Sequence, residues 1–160
     1  MAENGFRKTI AGHITDPIVR LLGRTRISPN ILSWTGFVIT LAAGVLIGYG
    51  FLFVGGWIVL FAGLFDMLDG ALARRTNRMT KFGAALDSTL DRLSEAVLFL
   101  SLMVWFAREN QIWLVLVTGC TLVGSFMVSY IRARAEGLGL ELKEGVVTRA
   151  ERVIILSLGL

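Results

Sequence analysis

An all-α bundle of membrane-spanning helices is the fold this sequence predicts, on three observations. Hydrophobic residues make up 54% of the 160 positions, and only two prolines interrupt them. The mean hydropathy is +0.68, more typical of a polytopic membrane protein than of a soluble domain. Apolar runs recur at lengths of about 20 residues, enough for a helix to cross a hydrocarbon core of ~30 Å. We read residues 1–160 as a single membrane domain.

Residues 6–22 come first. Ile10, Ile14, Ile18, Val19, Leu21 and Leu22 alternate with Arg7, Lys8, His13, Asp16 and Arg20 at helical spacing, as in a helix lying along the membrane interface. A cleaved signal peptide is the competing reading, but Asp16 and Pro17 break the apolar stretch it requires. Ser28-Pro29-Asn30 forms a turn that starts the first span. Spans are expected at residues 31–50, 53–72, 84–107 and 112–132. A fifth begins near residue 152, and residues 153–160 would rise only about 12 Å as a helix, too little to cross. The bundle therefore reads as C-terminally incomplete. Gly44 and Gly48 form a G-x-x-x-G step that can bring two helices close. Trp34, Trp57, Trp105 and Trp113 fall near span ends, where tryptophan anchors a helix at the interface.

Charge gives the orientation. All but one of the sixteen Lys and Arg residues fall before residue 31, between 74 and 92, or between 132 and 152. The positive-inside bias puts the N-terminus and the two basic loops on the cytoplasmic side of the cell membrane. A net charge of +4 is then a topology signal and a hint of anionic lipid or phosphate ligands, with no specific support for nucleic acid. The single Cys120 lies in an apolar run and implies no disulfide or thiolate metal site.

Four aspartates stand out against this background: Asp66, Asp69, Asp87 and Asp91. An intramembrane carboxylate is costly unless paired or bound to a cation, so four of them in two apolar helices read as a site. Asp66 and Asp69 are three apart, Asp87 and Asp91 four apart, so each pair projects from one side of its helix. A short loop around Asn77 reverses the chain and lets the cytoplasmic ends of the two helices face each other. Carboxylates without nearby His or Cys suit hard cations, Mg²⁺, Mn²⁺ or Ca²⁺, rather than Zn²⁺. Gly70 and Gly83 clear space on the carboxylate faces, Ala73 lies almost on the stripe of Asp66, and Arg74 and Thr80 offer a cation and a hydroxyl at the mouth.

The string Asp66-x-x-Asp69-Gly70-x-x-Ala73-Arg74, eight residues, then Gly83-x-x-x-Asp87-x-x-x-Asp91 resembles the complete signature of the CDP-alcohol phosphatidyltransferases. Residues 27–30, 129–136 and 149–152 resemble the branch of that family that makes phosphatidylinositol phosphate. The resemblance implies a six-helix membrane domain, usually homodimeric, that transfers a phosphatidyl group from CDP-diacylglycerol (CDP-DAG) to inositol 1-phosphate and releases CMP. It implies two Mg²⁺ ions, with Mn²⁺ as the alternative, bridged by Asp66 and Asp87. Asp69 would complete one metal site and Asp91 the other, with Asp91 also the general base. Asn30, Ile31, Leu32, Ser33, Gly70, Ala73, Arg74, Thr80 and Gly83 would surround the CDP part of the donor. Ser129, Arg132 and Arg152 would hold the acceptor phosphate, although Arg132 stands where relatives often carry Lys.

Two other functions fit parts of the pattern. A phosphatidylglycerophosphate synthase would use glycerol 3-phosphate, another small anionic acceptor, in the same chemistry. A carboxylate-lined cation transporter would explain the aspartates, but not the paired glycines and Arg74 at these offsets.

Overall fold

The computed structural model describes residues 28–76 and 79–140, and every one of its regular elements there is an α-helix. α1 spans Pro29–Gly48, α2 Leu52–Arg75, α3 Lys81–Arg108 and α4 Ile112–Gly137. The interfacial helix expected at 6–22 and the fifth span expected from 152 lie outside the described residues.

Helix ends follow backbone chemistry rather than hydropathy. Pro29 begins α1, where a missing N–H costs nothing and φ is already helical. At its other end the Tyr49, Gly50 and Phe51 amides return to the carbonyls of residues 45–47. Gly50 takes φ +93°, a left-handed value that glycine accepts without strain, and the chain reverses there. α2 and α3 run past the apolar windows that predicted them, because backbone hydrogen bonding continues into the polar rim after the lipid-facing residues stop.

Residue neighbours fix the relative directions. Gly36 of α1 lies against Phe65 and Ala62 of α2, Leu32 packs with Leu72, and Gly55 lies against Ile47, so α1 and α2 are antiparallel. Gly83 near the start of α3 faces Asn30 near the start of α1, while Arg108 at the end of α3 donates to the Gly48 carbonyl at the end of α1, 3.0 Å away. α1 and α3 therefore run parallel and span the same depth. α4 runs back along α3, with Ser125 bonded to Glu95 and Gly119 beside Met103.

These directions also bear on α3. Among the described residues, three helical stretches are long and apolar enough to span a membrane: Pro29–Gly48, Leu52–Ala73 and Ile112–Gly137. α3 is not among them because charged residues interrupt it, yet its 28 residues reach about 42 Å and it runs the full length of α1. Charge at membrane depth is tolerated where neighbouring helices shelter it, and Glu95, near the middle of α3, is buried.

The core lies where three helices meet, with Ala43 and Ile47 of α1, Val59 of α2, and Leu98 and Leu102 of α3. Gly44 lets α1 and α3 close up: a Cβ there would come within 2.6 Å of Val97 Cγ1 and 2.7 Å of Ser101 Oγ. Outward-facing positions carry Val38, Val45, Phe53, Trp57, Phe61, Leu116 and Val123, all exposed. Such a surface suits a protein whose solvent is lipid and whose backbone polar groups are satisfied within helices. This is a membrane protein.

Candidate active site at the helix ends

A cavity of about 180 Å³ opens where the start of α1, the end of α2 and the start of α3 meet. Asn30 and Ser33 line it from α1, Asp69, Gly70 and Ala73 from α2, and Thr80, Gly83 and Asp87 from the loop and α3. Eight residues singled out in the sequence thus share one wall-to-wall space. Pro29, Met79 and Ala84 complete the lining.

Each wall has a local cause. Thr80 caps α3, its hydroxyl accepting the Gly83 amide at 2.9 Å, which satisfies one orphan donor of the first turn. A Cβ on Gly83 would lie 3.0 Å from that hydroxyl and 3.3 Å from Asn30 Oδ1, so glycine is what lets α1 and α3 approach at the cavity. Asp69 is 4% exposed, and the equally buried Ser33 donates to its Oδ2 at 2.5 Å. This bond supplies a partner for an oxygen taken out of water, as burial of a carboxylate demands.

The remaining assignments divide. Asp66 is half-buried, with Oδ1 close to the α1 backbone at Gly36, and Asp91 is half-buried one turn beyond Asp87. Neither lines the cavity itself. Leu32 points into the core with Leu72, and Ile31 is exposed outside the cavity, so within the Asn30–Ser33 stretch the polar residues alone face it. Arg74 lies in the last turns of α2, and its side chain is outside the described part. Ser129 is half-buried on α4, Arg132 is exposed one turn further on, and Arg152 is outside the described residues.

The donor set fits a hard cation, since every titratable group at the cavity is a carboxylate and Cys120 is exposed on α4. Among the described residues, no three carboxylates, histidines or cysteines are grouped as a ready cage for an ion. The expected gathering of four aspartates is present in the helix positions and not in the side-chain arrangement.

Sequence reasoning passed over Glu95 and Ser125. Both are buried, at 3% and 6% exposure, and the serine hydroxyl donates to Glu95 Oε1 at 2.7 Å. The available signal was spacing, because Glu95 follows Asp91 by four residues and extends the Asp87–Asp91 face.

Comparison with known proteins sets this geometry in a family. Residues 26–160 match the family model for CDP-alcohol phosphatidyltransferase. The chain belongs to that family. A phosphatidylinositol phosphate synthase of Mycobacterium tuberculosis H37Rv is 43% identical over 150 residues, covering 91% of this chain and 68% of the relative. The archaetidylinositol phosphate synthase of Methanothermobacter thermautotrophicus is 40% identical over 157 residues, covering 98% of this chain and 75% of the relative. The crystal structure of the M. tuberculosis phosphatidylinositol phosphate synthase with CDP-DAG bound superposes with a TM-score of 0.84 at 42% identity, over 92% of this chain and 75% of that one. The same enzyme in complex with manganese and citrate gives 0.81 at 42% identity, over 91% and 70%. A divalent metal thus accompanies this phosphatidyltransferase fold.

Proposed function

We propose that this chain transfers the phosphatidyl group of CDP-DAG to inositol 1-phosphate, giving phosphatidylinositol phosphate and CMP. The observation that carries the reading is the cavity between Asp69 and Asp87, walled by Gly70, Gly83, Thr80 and Asn30. It occurs on a fold shared with a relative crystallised with CDP-DAG.

Within this reading Asp66, Asp69, Asp87 and Asp91 would hold two Mg²⁺ ions, or Mn²⁺ in their place. The ions would neutralise the pyrophosphate and stabilise CMP as it leaves. Asn30, Ser33, Gly70, Ala73, Thr80 and Gly83, with Arg74, would seat the CDP moiety. Glycine at 70 and 83 allows close approach to the backbone, while the Asn30 and Thr80 side chains offer hydrogen bonds. Leu32 would support that wall by holding α1 against Leu72, whereas Ile31 is exposed outside it. Asp91 would take the proton from the attacking hydroxyl as it reaches the phosphorus bearing the diacylglycerol. A single displacement follows, since no side-chain nucleophile is required. Positioning and charge neutralisation supply most of the rate enhancement.

Ser129, Arg132 and Arg152 would hold the acceptor phosphate. The first two lie on a helix that packs directly against α3, the helix of Asp87 and Asp91. The basic loops would place this end of the bundle at the cytoplasmic face of the cell membrane, so the soluble acceptor and CMP exchange with water there. We read the whole as one domain that works as a homodimer. The deciding experiment incubates the protein with CDP-DAG and either inositol 1-phosphate or glycerol 3-phosphate, then resolves the lipid products. Phosphatidylinositol phosphate and acceptor-dependent CMP release are expected. A phosphatidylglycerophosphate product alone would move the assignment to that synthase, and ion flux without CMP release would make the chain a transporter.

A further inference from the structure

Glu95 and Ser125 stand near the middle of their helices, within Lys81–Arg108 and Ile112–Gly137 respectively. A carboxylate at that depth is costly, and one buried to 3% exposure is there for a reason. Its Oε1 accepts the Ser125 hydroxyl at 2.7 Å. Among the described residues, few side chains of α4 are buried. Only 11% of its most apolar stretch is buried, and its buried residues are Ser125 and Ala135. Apolar packing between helices in lipid tolerates sliding, because lipid tails are as apolar as leucine, whereas a hydrogen bond has one register.

That register reaches the active site. α3 and α4 are antiparallel, so one turn from Glu95 back to Asp91 runs beside one turn from Ser125 forward to Ser129. A second turn brings Asp87 level with Arg132, which lies seven residues after Ser125 on the same face. We propose that the Glu95–Ser125 bond is a positioning pair that sets the depth of α4 against α3 and so holds Ser129 and Arg132 opposite Asp91 and Asp87. The inference rests on the acceptor phosphate binding at Ser129 and Arg132, as proposed above. Neither Glu95 nor Ser125 lines the cavity. Losing the bond lets α4 slip, which moves the acceptor pocket and leaves the donor cavity between α1, α2 and α3 intact.

The test titrates inositol 1-phosphate and CDP-DAG separately, using the full chain reconstituted in phosphatidylcholine vesicles. Ser125→Ala removes one oxygen and should raise the acceptor KM about five- to tenfold, the range expected for one lost hydrogen bond, with the CDP-DAG KM unchanged. Glu95→Gln keeps an oxygen that can accept the Ser125 hydroxyl and should retain the parental acceptor KM and kcat. Ser129→Ala and Arg132→Ala serve as controls on the pocket. If they raise the acceptor KM while Ser125→Ala does not, the acceptor placement stands and the positioning role is overturned. If neither control changes it, the acceptor placement fails and this inference fails with it. A Glu95→Gln variant that loses kcat at unchanged KM would also overturn the proposal, because it would make Glu95 a proton-handling group.

Discussion

Ser33 on α1 donates a hydrogen bond to Asp69 on α2, and both side chains are buried. The bond ties the first span to a carboxylate of the motif, so α1 helps orient the site as well as enclosing it. A hydrogen bond to a charged group contributes about 1.5–3 kcal/mol. Ser33→Ala should therefore raise the Mg²⁺ concentration for half-maximal activity by about tenfold or more. A metal titration of the two proteins checks it, and an unchanged midpoint would separate Ser33 from the metal site.

Removing a charge that the proposed site shares between two metal ions is expected to do more. Asp66→Asn or Asp87→Asn should abolish transfer at ordinary Mg²⁺, and chelation should do the same to the parent protein reversibly. Activity should return with Mg²⁺ or Mn²⁺. CMP release measured across the metal series is the readout, and near-normal turnover by either variant would remove that aspartate from the bridging role.

Asp91→Asn separates chemistry from binding. In the proposed reaction Asp91 is the base and acts mainly in the transition state, so its loss should lower kcat by orders of magnitude, about 10²–10⁴-fold, while CDP-DAG binding changes far less. Donor binding measured beside single-turnover rates distinguishes this from a role confined to metal ligation, which would weaken donor binding to a similar degree.

The α1–α3 contact predicts a stability effect remote from the cavity. Gly44→Ala places a methyl group where Val97 and Ser101 already stand. Overpacking of this kind costs about 1–3 kcal/mol. Thermal unfolding in detergent should show a lower midpoint, and an unchanged midpoint would mean that the two helices separate there without cost.

Much of this architecture was legible in the sequence because two strong signals coincide. Apolar length located all four described helices, α3 included as residues 84–107, and the carboxylate spacing located the facing ends of α2 and α3. Helix ends were harder, since α2 runs to Arg75 and α4 to Gly137 in residues that hydropathy counts as polar. Cavity-facing residues at 30–33 were legible as a stretch, but the division of Asn30 and Ser33 from Leu32 depends on how α1 is rotated against Leu72. The Glu95–Ser125 bond was invisible for a similar reason. No rule of spacing within one helix says which residue of the next helix will arrive opposite it.

Placing the cavity at the ends of spanning helices has a kinetic consequence. A lipid donor reaches it by diffusing sideways in the bilayer, and the lipid product leaves by the same plane. On the proposed reaction, CDP-DAG is a two-dimensional reagent: its mole fraction in the membrane governs saturation, while the acceptor obeys its bulk concentration. Diluting vesicles with buffer should leave the donor term of the rate law untouched. Diluting CDP-DAG with inert lipid at constant total volume should change it.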